Sequence, residues 1–137
     1  MGSLPSTITV LVIDSDKRDR EYWTQRLHIS SPDYVVLEAD TGASGLAICH
    51  SQRVDCVVEE LDLSDMSGFK VLLDLVPRFR DPDIAVIILS HLNLQALAEL
   101  AMKNGAQAYL RKSHVSGDDL HMTIRKAIAA VGTNHRQ

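Results

Sequence analysis

The sequence has little of what marks several classes of protein. It contains only two cysteines in 137 residues, Cys49 and Cys56, both in apolar surroundings. We interpret them as buried, reduced thiols rather than as a disulfide or a metal pair. No apolar run approaches the roughly 20 residues that span a bilayer, and the amino terminus lacks the pattern of a secretory signal. We therefore expect a cytoplasmic protein that makes no membrane contact.

Basic residues are also in the minority. The chain carries 14 Lys+Arg against 18 Asp+Glu, which gives a formal net charge of −4. A dedicated nucleic-acid binder normally has a basic stripe, so we expect no direct contact with nucleic acid. The six histidines are scattered along the chain without the spacing of metal ligands.

Apolar residues make up 45% of the chain, which favours a globular fold. Five short apolar runs alternate with five amphipathic segments of helical length. The runs are 8–13, 34–37, 54–58, 84–89 and 108–110, and the segments are 18–29, 41–51, 68–76, 94–104 and 116–131. We expect Pro77 to end or kink the third helix and Gly132 to end the fifth.

This alternation predicts an α/β fold of the flavodoxin-like, doubly wound type. We expect a five-stranded parallel sheet of order 2-1-3-4-5 with five helices. Runs one, three and four are near-continuous and β-branched, as in strands buried on both faces. One domain is expected over residues 6–131, with flexible termini at 1–5 and 132–137.

Polar residues follow four of the five predicted strands. Ligands of such sheets bind at the carboxyl ends of the strands, so these residues are expected to share one pocket. They are Asp14-Ser15-Asp16, Glu59-Glu60-Leu61-Asp62, Ser90-His91 and Arg111-Lys112-Ser113-His114. Clustered carboxylates need a cation, which Lys112 or Mg²⁺ would supply. A carboxylate surrounded by a metal, a hydroxyl and a lysine suits phosphoryl transfer.

The spacing of these residues resembles a known family, the receiver domain of two-component response regulators. The resemblance runs from about Ile8 to about Val131. The same residues are compatible with a receiver segment cut from a hybrid sensor kinase. It is carried by the acidic turn after the first strand and by the segments Glu60 to Gly68, Leu89-Ser90, Gly105-Ala106 and Tyr109 to Lys112. It implies the CheY-like form of the predicted fold.

The resemblance assigns a role to each pocket residue. Glu60 falls on the phospho-acceptor position, normally an aspartate, and Gly68, eight residues on, fixes that register. Ser90 falls on the conserved hydroxyl and Lys112 on the invariant lysine. Ser90 and Tyr109 fall on the switch positions. The alternative for these two is a strand-end serine and a half-buried tyrosine that only packs.

The metal site is the part that departs most from the family. Asp14 falls on the first acid of the family's pair, but Ser15 replaces the second acid, which normally ligates Mg²⁺. Asp14, Asp16 and Glu60 would then form at most a weak Mg²⁺ site. Ser64 and Ser113 replace two prolines of the family, the second of which normally follows the lysine through a cis bond.

These departures favour a pseudo-receiver that acts as a regulatory protein-interaction module in phosphorelay signalling and is not an enzyme. Glutamate extends one methylene further than aspartate, and a misplacement of about 1 Å costs on the order of a hundredfold in rate. We expect Glu60 to pair with Lys112, either as a partial mimic of a phosphoryl group or as a simple structural ion pair. The expected partner is a histidine kinase or an output or regulatory domain, bound through helix four, strand five and helix five.

Two alternative functions remain from the sequence. The retained Asp14, Ser90 and Lys112 are compatible with a phosphotransfer-competent receiver with a relaxed Mg²⁺ site. A flavin binder or small phosphatase is disfavoured, because a flavin phosphate would need a Ser/Thr/Gly-rich loop after the first strand, where residues 14–19 are acidic.

Overall fold

A central parallel sheet organises the chain. The computed structural model describes residues 7–76 and 84–135, with side chains as far as Val131. The strands are β1 (Thr9–Ile13), β2 (Val35–Ala39), β3 (Cys56–Glu59), β4 (Ala85–Ser90) and β5 (Ala108–Arg111). They pair in parallel in the order β2-β1-β3-β4-β5. The predicted fold class is therefore confirmed.

Five helices alternate with the strands, as predicted. They are α1 (Lys17–Ser30), α2 (Gly42–Ser51), α3 (Gly68–Leu75), α4 (Gln95–Lys103) and α5 (Gly117–His135). The expected end of α5 at Gly132 is wrong, because the helix continues to His135. One glycine costs a helix only about 1 kcal/mol, and no proline follows it. Pro77 and the terminal segments 1–6 and 136–137 lie outside the described residues.

The sheet separates two apolar cores. One core joins alternate residues of the central strands to α1 and α5, and it includes Val10, Val58 and Ile87. The other core joins the remaining residues to α2, α3 and α4, and it includes Leu11, Val57 and Ile88. Because β3 and β4 are covered on both faces, their residues are buried throughout. The sheet is a rigid base for the loops at its carboxyl edge.

Side-chain hydrogen bonds cap the amino-terminal ends of helices that begin near the carboxyl edge of the sheet. Asp16 accepts a hydrogen bond from the amide of Asp19 at the start of α1, as aspartate commonly does at an N-cap. At the start of α5, Ser116 and Asp119 accept hydrogen bonds from each other's amides, each at 3.0 Å, and so form a capping box. No helix among the described residues is long and apolar enough to cross a membrane.

Candidate functional site

The carboxyl edge of the sheet carries a small acidic cavity of about 270 Å³. The ends of β1, β3, β4 and β5 and the first turn of α1 supply its walls. Its lining residues are Asp14, Asp16, Asp19, Glu60, Asp62, His91 and Lys112. The structure therefore brings together the groups that the sequence placed after four different strands.

Glu60 is the central side chain, and it is only 2% exposed. Its Oε2 atom accepts hydrogen bonds from the Ser90 hydroxyl and from the amides of Leu61 at 2.7 Å and Asp62 at 3.2 Å. Its Oε1 atom accepts from the His91 amide at 3.0 Å and lies 3.0 Å from Lys112 Nζ. Five donors from β3, β4 and β5 and the residues that follow them thus surround one carboxylate.

These donors decide the charge state of Glu60. Burial by itself would raise the pKa of this carboxyl, because the charged form loses its hydration. The hydrogen bonds from Ser90, Lys112 and the His91 amide outweigh that effect and hold the pKa of Glu60 below its usual value. Glu60 is therefore a carboxylate at neutral pH.

Lys112 is held by three carboxylates. Its ammonium nitrogen lies 2.7 Å from Asp14 Oδ2, 2.7 Å from Asp19 Oδ2 and 3.0 Å from Glu60 Oε1. The ammonium group has three N–H bonds, and each has one carboxylate partner. Burial by itself would lower the pKa of Lys112, but these three contacts outweigh it and raise that pKa. The predicted Lys112–Glu60 ion pair is confirmed.

Asp19 was not among the predicted site residues. It lies in the first turn of α1, one helical turn beyond the Asp16 cap, so its side chain reaches the cavity from the helix rather than from a strand end. The signal for it was the i, i+3 spacing from Asp16, which places both residues at the start of the same helix.

The predicted metal ligands have other partners. Asp14 Oδ2 and Glu60 Oε1 both contact Lys112, and Asp16 Oδ1 caps α1. The Ser15 hydroxyl is directed to the Asp40 carbonyl at 2.7 Å. Among residues 7–76 and 84–131, no three His, Cys, Asp or Glu side chains are placed to hold a metal ion. The site is arranged around an ammonium group, and Mg²⁺, which needs only one or two carboxylates besides water, would compete with Lys112 for Asp14 and Glu60.

The two predicted switch residues are connected through the backbone of Leu92. Ser90 is fully buried, and its hydroxyl donates to Glu60 while accepting from the Leu92 amide at 3.1 Å. The half-buried Tyr109 donates its hydroxyl to the Leu92 carbonyl at 2.8 Å. Hydrogen bonds therefore connect Glu60, through Ser90 and the backbone amide and carbonyl of Leu92, to the hydroxyl of Tyr109.

Two further side chains complete the surroundings of the cavity. His91 Nε2 lies 2.9 Å from Asp62 Oδ2, so this pair bridges the ends of β3 and β4 at the mouth. The Lys112–Ser113 peptide bond is trans, since none of the described residues has a cis bond. Lys112 to His114 instead form one turn of 3-10 helix.

Glu59 is the least expected residue near the site. The sequence placed it after the third strand, but it is the last residue of β3 and points to the side of α2 and α3. It is 0% exposed, and neither carboxyl oxygen has a hydrogen-bond partner. Burial, followed by the nearby charge of Glu60, raises the pKa of Glu59 well above its usual value. We interpret it as a neutral carboxylic acid.

Gly68 leaves room for both glutamates. A Cβ atom at this position would lie 2.5 Å from the Glu60 carbonyl oxygen and 2.8 Å from Glu59 Oε1. The start of α3 therefore packs directly on the end of β3. This contact is the physical reason for a glycine eight residues after Glu60.

A family model described as the response regulator receiver domain matches residues 10–125. The chain belongs to the response regulator receiver domain family. Members of this family are signalling modules of two-component systems that interact with kinases and output domains, and they typically bind Mg²⁺ at the phosphorylation site. The resemblance inferred from the sequence is confirmed.

The similar proteins include whole regulators and isolated receiver domains. The chain is 30% identical over 112 residues to the transcriptional regulatory protein GlrR of Escherichia coli, covering 80% of this chain and 24% of the relative. It is 32% identical over 126 residues to the transcriptional regulatory protein UhpA of Salmonella typhimurium, covering 92% and 58%. The chain thus spans less than two thirds of either relative.

A solved receiver domain from Clostridium thermocellum has the same fold. It superposes with a TM-score of 0.81 at 31% identity, covering 92% of this chain and 98% of that one. The match extends over nearly the full length of that domain.

Proposed function

We propose that this chain is a pseudo-receiver, a regulatory protein-interaction module of two-component phosphorelay signalling that does not use aspartyl phosphorylation. The observation that supports it is the saturation of the Glu60 carboxylate by five donors. Ser90 and Lys112 are the groups that the resemblance assigns to an arriving phosphoryl group. Here they already bind the side chain at the acceptor position.

Under this proposal Glu60 mimics part of a phosphoryl group. A glutamate carries one negative charge, whereas a phosphoryl group carries nearer two. The Glu60 carboxylate nevertheless holds the Ser90 hydroxyl in the cavity, and Ser90 connects to Tyr109 through Leu92. We infer that Ser90 and Tyr109 remain in one switch state, because the group that biases them is a permanent part of the chain.

Mg²⁺ has a minor role in this proposal. Asp14, Asp16 and Glu60 would hold the ion at best weakly, because Lys112 engages the oxygens of two of them and helix capping engages the third. Binding of Mg²⁺ would have to displace the ammonium group of Lys112 or add to an already paired cluster.

The proposed partner surface is formed by α4, β5 and α5. A groove of about 540 Å³ lies on the α4 and β5 part of this surface, lined in part by Leu94, Ala98, Tyr109, Arg111 and His114. Leu94 is 61% exposed, and Tyr109 belongs both to this groove and to the hydrogen-bond path from Glu60. A histidine kinase or an output or regulatory domain in the cytoplasm is the partner we propose.

The alternative function is a phosphotransfer-competent receiver. It is supported by the contacts of Ser90 and Lys112 with Glu60 and of Asp14 with Lys112, which retain the framework for phosphoryl chemistry. For this function, Lys112 and Ser90 would have to exchange their bonds to Glu60 for bonds to the incoming group.

A labelling experiment separates the two functions. The purified chain is incubated with a small-molecule phosphoryl donor and Mg²⁺, and its intact mass is measured over time. We expect no mass gain of one phosphoryl group. The matched control is the double variant Ser15→Asp/Glu60→Asp, which restores both family residues and is expected to be labelled. Stable labelling of the unmodified chain at Glu60 would establish the alternative.

A further inference from the structure

Three loops meet beside the acidic cavity, and the Ser15 hydroxyl lies between them. These loops follow β1, β2 and β3. Ser15 Oγ donates to the Asp40 carbonyl at 2.7 Å and accepts a hydrogen bond from the Ser64 amide at 2.9 Å. The Ser64 hydroxyl lies 3.1 Å away. One small side chain therefore connects the loop after β1 to both of the others.

The amide of Ser64 makes this connection possible. A proline has no backbone N–H group, so the proline that the receiver family has at this position would remove the bond to Ser15 Oγ. An acid at position 15 would remove the donor that bonds the Asp40 carbonyl. The two substitutions at positions 15 and 64 are far apart in sequence, yet in the structure each one supplies the partner of the other.

The same loop has a second attachment. Both carboxylate oxygens of Asp65 accept hydrogen bonds from the first amides of α2, from Gly42 at 2.8 Å and from Ala43 at 2.9 Å. Ser64 and Asp65 thus bind two different neighbours, the loop after β1 and the start of α2. The loop between β3 and α3 is held at two consecutive residues.

This loop carries donors to Glu60. The amides of Leu61 and Asp62 bond Glu60 Oε2, and Ser64 follows two residues later. Because the loop after β1 carries Asp14 and the loop after β3 begins at Glu60, fixing one loop against the other also fixes the two buried carboxylates that share Lys112.

We propose that Ser15 and Ser64 form a hydrogen-bonded staple that holds the β3–α3 loop against the β1–α1 loop. Ser15 is on this account a positioning residue and not a weakened metal ligand. The staple joins two loops that both carry carboxylates of the cavity, and it does so without a cation. The proposal does not depend on whether Glu60 accepts a phosphoryl group.

Amide hydrogen exchange measured residue by residue by NMR tests the staple. In Ser15→Ala we expect the Ser64 amide to exchange about fivefold faster, as for the loss of one ordinary hydrogen bond, and the Asp62 amide to exchange faster as well. Ser15→Thr retains the hydroxyl and is expected to restore the protection of both. Ser64→Ala retains the amide and is the matched control, with exchange at Asp62 close to that of the unmodified chain.

A double-variant cycle supplies a second measurement. If the staple exists, Ser15→Ala and Ser64→Pro both remove the bond from the Ser64 amide to Ser15 Oγ, and the double variant loses less unfolding free energy than the sum of the two single variants. Unchanged exchange at Ser64 in Ser15→Ala, or fully additive effects of the two substitutions in urea unfolding, would overturn the proposal.

Discussion

Replacing the buried Glu59 is the sharpest test of the energetics at this site. Its carboxyl is 0% exposed and has no hydrogen-bond partner. We expect Glu59→Met to stabilise the protein, because methionine has a similar length, no polar group and the flexibility to fill an irregular space. An unsatisfied buried polar group costs about 1–3 kcal/mol, and this is the smallest gain in unfolding free energy that we expect at neutral pH.

The pH dependence of the unfolding free energy gives a larger and more specific test of Glu59 than its value at a single pH. The pKa of Glu59 is raised in the folded state, so the unfolded chain releases this proton first as the pH rises. Stability from this group is therefore complete below about pH 4.5, the ordinary value for the carboxyl, and is lost as the pH rises above it. The loss is about 1.4 kcal/mol per pH unit until the folded-state pKa is reached.

Two variants separate the effect of Glu59 titration from the cost of its unsatisfied carboxyl group. Glu59→Gln preserves the shape and removes the titration, so it should remove only the pH-dependent loss. Glu59→Met should remove that loss and also the cost of the unsatisfied group. Urea unfolding of both variants and the unmodified chain, measured between about pH 5 and about pH 8, gives the differences directly. An identical pH dependence in the unmodified chain and Glu59→Gln would refute a neutral buried Glu59.

Further predictions concern the acidic cavity. Lys112→Met leaves Asp14 and Glu60 buried without a counter-charge and should cost about 3–5 kcal/mol in urea unfolding, whereas Asp19→Asn should cost under about 1 kcal/mol because that side chain is 43% exposed. Gly68→Ala should destabilise the fold by about 1–3 kcal/mol, with the β3–α3 amide NMR signals shifted. The pKa of Glu60 is lowered in the folded state. The stability that this carboxylate contributes is therefore present above about pH 4.5 and is lost as the pH falls through the folded-state pKa. Glu60→Gln should make the loss of stability in acid less steep.

The sequence was sufficient for the sheet and for the residues at its edge. The apolar runs indicated buried parallel strands, and their alternation with helices fitted the doubly wound order 2-1-3-4-5. The ends of those runs also gave Asp14, Glu60, Ser90 and Lys112 as one cluster, since parallel strands end at the same edge. The ion pair between Lys112 and Glu60 was expected because the family resemblance places both residues at the phosphorylation site.

The directions of individual side chains could not be read in the same way. Glu59 and Glu60 are adjacent, yet the alternation of the strand sends one into an apolar core and the other into the cavity. Asp16 was expected to line the cavity, which it does, but its Oδ1 atom also caps α1 by accepting from the Asp19 amide, and this second role was not read from the sequence. The contact between Ser15 and Ser64 depends on the folding of two loops 49 residues apart, which no local pattern encodes.

A glutamate at position 60 also has a consequence for the lifetime of the signalling state. An acyl phosphate hydrolyses, so a phosphorylated domain returns to rest after a certain lifetime. A glutamate side chain has no bond of this kind to break. Under the proposed function, the signal of this domain would be ended by dilution, degradation or competition for its partner, and its strength would follow how many copies the cell contains.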